Sequence, residues 1–164
     1  MGSLREVFSF PHPVNEYAAR TVAGLVAILA LLTITFDLAW MLPILLYGFL
    51  ARVLTGPSLS PIGQLATRVL VPVLNLPEKD TAGPPKRFAQ TVGLIFATTT
   101  TVLYFGAGSA LAAYSVLGVL VVFALLESVV GFCAGCFVFA QLMRIGLVPE
   151  KTCEKCNNLS FGGA

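Results

Sequence analysis

Two long apolar runs, parted by a polar and proline-rich stretch, organise this chain. Between Arg20 and Arg52 the only charged residue is Asp37. One helix through that run would be roughly 45 Å long, too long for a hydrocarbon core of about 30 Å. A turn at "TFDLAW" resolves this and predicts helices near 19–36 and 38–54, both short, with Arg20, Arg52 and Trp40 at the interfaces. Pro43 then falls in the first turns of the second helix, where its missing N–H does least harm. The second run extends from Phe88 to Met143 and is interrupted by "FGAGSA" at Phe105–Ala110. It predicts a third helix near 87–105 and a fourth within 110–143. The last window is longer than a span requires. Its start lies along the outer surface, or its end projects into the cytoplasm, or the glycine-rich CAGC region bends it.

The stretch between the runs has a pattern of its own. In "PIGQLATRVLVP", Ile62, Leu65, Ala66, Val69 and Leu70 recur at helical spacing while Gln64, Thr67 and Arg68 are polar. This predicts a short amphipathic helix lying in the headgroup region. "NLPEKDTAGPPK" follows as a turn, and Pro84 and Pro85 suit the start of the third helix, not its interior. "AARTVAGL" (Ala18–Leu25) and "FAQTVGL" (Phe88–Leu94) are also alike. Two helical hairpins in parallel orientation would produce such a repeat, and so would chance among small apolar residues.

Charge turns this pattern into a topology. Only 11% of the 164 residues are charged and 57% are hydrophobic, against about 25% charged in soluble domains. The chain therefore reads as an integral membrane protein. All ten Lys and Arg fall on one side of a four-helix arrangement: Arg5 and Arg20 before the first helix, Arg52, Arg68, Lys79, Lys86 and Arg87 between the second and third, and Arg144, Lys151 and Lys155 after the fourth. The positive-inside rule then places both termini in the cytoplasm of a plasma (inner) membrane protein. The expected fold is all-α: a four-helix membrane bundle of two hairpins over 1–143, with a cytoplasmic tail over 144–164. A net charge of +2 is too small and dispersed for nucleic-acid binding. No cleavable leader is expected in the mixed, proline-broken first twenty residues, and Glu6 breaks the myristoylation pattern.

Every cysteine belongs to a CxxC pair: Cys133/Cys136 in the fourth helix window and Cys153/Cys156 in the tail. Thiol–disulfide exchange needs one thiolate to attack and a second thiol to release the mixed disulfide, and a CxxC at a helix supplies both. The spacing C-x2-C-x16-C-x2-C also falls within the range of tetrathiolate zinc sites. Against zinc, the inner pair is flanked by Val129, Val130, Phe132, Phe137 and Phe139, a costly setting for a net negative centre. Plain packing is the third reading, since free cysteines are commonly buried. Counted along a straight helix from Arg144, Cys136 and Cys133 lie roughly 12–16 Å deep. No other cofactor is expected.

Glu127 is an ionisable group within a membrane helix and hence a functional candidate. On a regular helix it shares a face with Gly131, Ala134 and Gly135, while the cysteines point away. It would serve as a proton site for the dithiol, or as a structural or outer-interface residue, with Arg87 too distant in depth to pair. Gly131-x-x-x-Gly135 is a small-xxx-small helix contact, compatible with a homo-oligomer. His12, between two prolines, reads as a solvated loop residue.

"NEYAAR", "PPKRFAQTVGLIFA" (84–97) and "LLESVVGFCAGCFVF" (125–139) resemble a bacterial membrane family catalogued as domain of unknown function 4395. The resemblance covers roughly 13–143. It carries over motif positions Arg87, Phe88, Gln90 and Gly93, with Gly131, Cys133, Gly135 and Cys136. It implies an association with thioredoxin-like and sulfur-transfer proteins, which favours thiol chemistry; the tail CEKC gains nothing from it. The expected activity is a membrane thiol–disulfide oxidoreductase or electron carrier acting through Cys133/Cys136, with Glu127 and Cys153/Cys156 in support and thioredoxin-like or sulfurtransferase partners. The alternatives are a zinc-binding or structural membrane protein and a transporter of a small sulfur compound.

Overall fold

Asn15 opens the first helix. Its side-chain carbonyl accepts from the N–H groups of Tyr17 (2.9 Å) and Ala18 (3.4 Å), and helix α1 runs over Glu16–Phe36. The structure, a computed structural model, describes residues 14–149. His12, Cys153 and Cys156 lie outside them. Helix α1 ends at Asp37, whose backbone is left-handed (φ 53°), and the chain turns into α2 (Met41–Thr55). The turn expected at "TFDLAW" is therefore present.

The linker folds as expected in outline. Ser60 caps α3 (Pro61–Leu65) by accepting from the Gly63 N–H at 3.2 Å, and the helix continues through a wider π-turn at Ala66–Leu70 into Val71–Val73. Ala66 is fully buried and Ile62 packs on the core, whereas Leu65, Val69 and Val73 are exposed. A two-residue antiparallel pairing joins β1 (Val14–Asn15) to β2 (Asp80–Thr81), reinforced by a Lys79–Glu16 ion pair at 2.9 Å.

Helix α4 (Gly83–Thr101) begins with its prolines in the first turn and ends in a π-turn at Val102–Gly106. Helix α5 (Ala110–Leu125) ends in another at Leu126–Val130. Counting those turns, Glu16–Phe36, Gly83–Gly106 and Ala110–Val130 are long and apolar enough to cross a membrane. Helix α2, with 15 residues, is shorter at about 22 Å. The fold is thus mostly helical with three candidate membrane spans.

Ala18, Val22, Ala23, Val26, Ala27 and Ala30 form the buried face of α1. Lipid tails are as apolar as these side chains, so close backbone approach across small residues, not water exclusion, must hold such helices together. Helix α5 packs on this face through Ala113, Leu117, Leu120, Val121 and Ala124, α4 packs on both α2 and α5, and α2 returns to α1. Fully buried Thr33 satisfies its hydroxyl locally by donating to Leu29 O at 2.8 Å.

Long-range hydrogen bonds order the ends. The Arg20 side chain reaches Ser128 O, and Arg52 reaches Gln90, so the starts of α1 and α4 meet the ends of α5 and α2. At the opposite end the Asp37 carboxylate accepts from the hydroxyls of Tyr104 (3.4 Å) and Tyr114. Helices α1 and α4 therefore run the same way.

Candidate functional site

The continuous helix considered for 110–143 does not form. After the π-turn of α5 the backbone swings through Gly131 at φ 78°, then Cys133 in an extended conformation, and a separate helix α6 occupies Ala134–Arg144. Of the three arrangements considered, this is the bend at the glycines. Arg20 stabilises the exposed end of α5, donating to Ser128 O (3.2 Å) and Val129 O (2.9 Å), a cation on orphan helix carbonyls. A side chain at Gly131 would meet that guanidinium at 3.3 Å and would be strained at this φ.

The break puts the dithiol at the start of a helix. Cys133 is the N-cap of α6, and its Sγ accepts from the Cys136 N–H at 3.3 Å. Both cysteines are free thiols, partly exposed. Gly135 presses on α4, since a Cβ there would lie 2.6 Å from Ala89 Cα. Phe139 stacks at a tilt on Phe88, centroids 5.7 Å apart. The straight helix along which that depth was counted is thus absent. The cysteines sit beside the first two turns of α4, not midway along it, because the chain changes direction at Gly131.

The second correction concerns Glu127. It pairs with Lys86 at 2.6 Å, and the two side chains are only 14% and 8% exposed. Glu127 therefore lies at the end that carries Arg20 and Lys86, not at the opposite interface. Arg87, the partner weighed and rejected, instead donates to Val53 O at 3.1 Å. Nor do Glu127 and Cys133 face apart, since the backbone turn lets both contribute to one cavity wall.

Outside the membrane-spanning segments, the two thiols differ. The thiol–thiol hydrogen bond holds Cys133 below its ordinary pKa, outweighing burial and the Glu127 carboxylate; the Lys86 ammonium and the Cys136 N–H act the same way. That hydrogen bond, with burial, pushes Cys136 far up. Cys133 is thus the more acidic thiol of the pair.

Arg52, expected at an interface, stands at the same end of the molecule as Arg20 and is only 4% exposed. Its Nε donates to Gln90 Oε1 (2.9 Å), its Nη1 to Ser60 Oγ (3.2 Å), and the guanidinium lies 4.5 Å from the Phe49 ring centroid. Nη2 is buried without a hydrogen-bond partner among the described residues. Arg52, Gln90, Glu127 and Cys133 line one cavity of about 330 Å³, otherwise walled by apolar side chains.

The family model described as a domain of unknown function (DUF4395) matches residues 14–144. The chain belongs to this family. No curated protein matches it, and no solved structure does. Within the matched region, the residues that carry the resemblance converge. Arg87 and Phe88 hold the start of α4 against α2 and α6, Gln90 orients Arg52, and Gly93 leaves room for the Phe49 ring. Lys86 and Arg52 were missed as site residues. The available signal for Lys86 was Glu127 itself, an apolar-run carboxylate that needs a cation at its own depth. A tetrathiolate would need Cys153 and Cys156, which lie outside the described residues.

Proposed function

We propose that the protein is a membrane thiol–disulfide oxidoreductase whose reactive pair is Cys133/Cys136. The observation that supports it most is the Cys136 N–H directed at Cys133 Sγ at the N-cap of α6, a setting that favours a thiolate. The Cys133 thiolate attacks a partner disulfide, forming a mixed disulfide and releasing one partner sulfur as a thiolate, which takes up a proton. Cys136 then loses its proton and attacks Cys133 Sγ. The intramolecular disulfide forms and the second partner thiol leaves. Two electrons pass from the cysteine pair to the partner, and the reverse sequence reduces the pair. Glu127, held by Lys86, has a charge that acts on Cys136 and is the proposed acceptor of its proton.

The proposed partners are thioredoxin-like or sulfurtransferase proteins. Val129, Val130 and Phe132 before the pair, and Ile145 and Leu147 after α6, are exposed and apolar, a surface for such a partner. In this reading α1, α2, α4 and α5 form a four-helix membrane domain with its basic end in the cytoplasm. The tail pair Cys153/Cys156 relays electrons between soluble partners and Cys133/Cys136.

The test is capture and titration. With Cys136→Ser and both tail cysteines replaced by serine, Cys133 should form a stable mixed disulfide with a single-cysteine thioredoxin activated beforehand as its disulfide with thionitrobenzoate, which leaves as the free thiolate. Mass spectrometry of the wild-type protein in glutathione buffers should find a reversible Cys133–Cys136 disulfide. Free thiols at every biological potential would sink the reading.

A further inference from the structure

We infer that the cavity beside Cys133 binds a lipid-soluble quinone, which accepts the electrons of the dithiol; this rests on the thiol reading above. Three observations converge. The wall is apolar and aromatic, with Phe49, Phe88, Phe96 and Phe123 around a space of about 330 Å³, within the range of small-molecule sites. Its polar groups are few and gathered near one end of α4, where Arg52 donates to Gln90. Arg52 Nη2 is a buried donor with no hydrogen-bond partner among the described residues, and an unmade hydrogen bond of this kind is costly.

A ligand with a carbonyl oxygen and an apolar planar body answers both features. The oxygen accepts from Arg52 and the ring lies among the phenylalanines. Phe123 and Val138 belong to the cavity wall and also to the exposed apolar surface. A ligand dissolved in the bilayer therefore has a lateral way in.

The presence of Cys133 in the same wall selects a quinone over other carbonyl compounds. A dithiol needs a two-electron acceptor, and a quinone provides one in the lipid phase. The two S–H bonds break and the Cys133–Cys136 bond forms. Both electrons and both protons pass to the quinone, which leaves as hydroquinone.

The test uses the full chain in lipid nanodiscs with duroquinone, whose fully substituted ring resists thiol addition. Calorimetric titration of Cys133→Ser/Cys136→Ser measures binding without chemistry. Binding is expected, and Arg52→Ala should weaken it by roughly tenfold or more. Since buried Arg52 also supports the fold, Val138→Trp, at an exposed position on the wall, serves as the second variant and should block binding. Reduced wild-type protein should yield one hydroquinone per disulfide formed. No binding, or equal binding by all variants, overturns the inference while mixed-disulfide capture by thioredoxin leaves the thiol reading standing. Binding without oxidation of a pair that still exchanges with thioredoxin overturns the acceptor role. A pair inert to both defeats the thiol reading and this inference with it.

Discussion

At the scale of single residues, the proposed chemistry rests on unequal cysteines beside a buried ion pair. Cys133 is held low by its hydrogen bond with Cys136 and by Lys86, while Glu127 and burial oppose. Alkylation of Cys133 should therefore rise and level off below the ordinary thiol midpoint near pH ~8.5, with Cys136 slow throughout. Replacing Lys86 with Met removes a positive charge that favours the thiolate. The Cys133 midpoint should move up, and Glu127→Gln should move it down. Peptide-resolved mass spectrometry of iodoacetamide-treated protein measures both; a midpoint indifferent to Lys86 would disconnect the ion pair from the dithiol. Cysteines at this spacing were legible as a redox or metal pair. Their inequality was not, because it depends first on the hydrogen bonds between Cys133 and Cys136, which the extended backbone at Cys133 and the start of α6 set up.

At the scale of elements, the decisive event is the separation of α5 from α6. Hydropathy is continuous through Val138, so an apolar window had no means of ending a helix at Val130. The stop comes from a left-handed Gly131 and from Gly135, where α6 rests directly on the α4 backbone. Gly135→Val should force α6 away from Ala89, lower stability by about 1–3 kcal/mol, and slow disulfide formation between Cys133 and Cys136. Gly118→Ala, within α5 and with nothing within 4 Å of the added carbon, should instead stabilise by about 0.5–1 kcal/mol. Thermal melts in detergent and oxidation kinetics test the pair. Equal effects from the two substitutions would mean that the α4–α6 contact does not position the dithiol.

At the scale of the whole molecule, polarity is divided between two ends. Arg20, Arg52, Lys86 and the dithiol gather at one, and Asp37 with Tyr104 and Tyr114 at the other. The proposed orientation puts the first end in the cytoplasm. In a variant with all four cysteines replaced by serine, a single cysteine at exposed Ala107 should react with a membrane-impermeant maleimide on intact cells. One at exposed Glu78 should react only after lysis. The opposite pattern would invert the topology and place the dithiol outside.

The sequence by itself determined the membrane class, the turn at Asp37, the amphipathic linker helix and the proline-led start of α4. Each follows from a local cause: an apolar run too long for one span, a spacing of polar residues, a ring that lacks an N–H. The tertiary structure alone decided which cation meets Glu127, that Arg52 is buried, where the dithiol lies along α4, and that four helices and α6 enclose a cavity. Those are contacts between residues tens of positions apart. Hydrophobic periodicity says which face of a helix turns inward, but not which partner it finds or at what height.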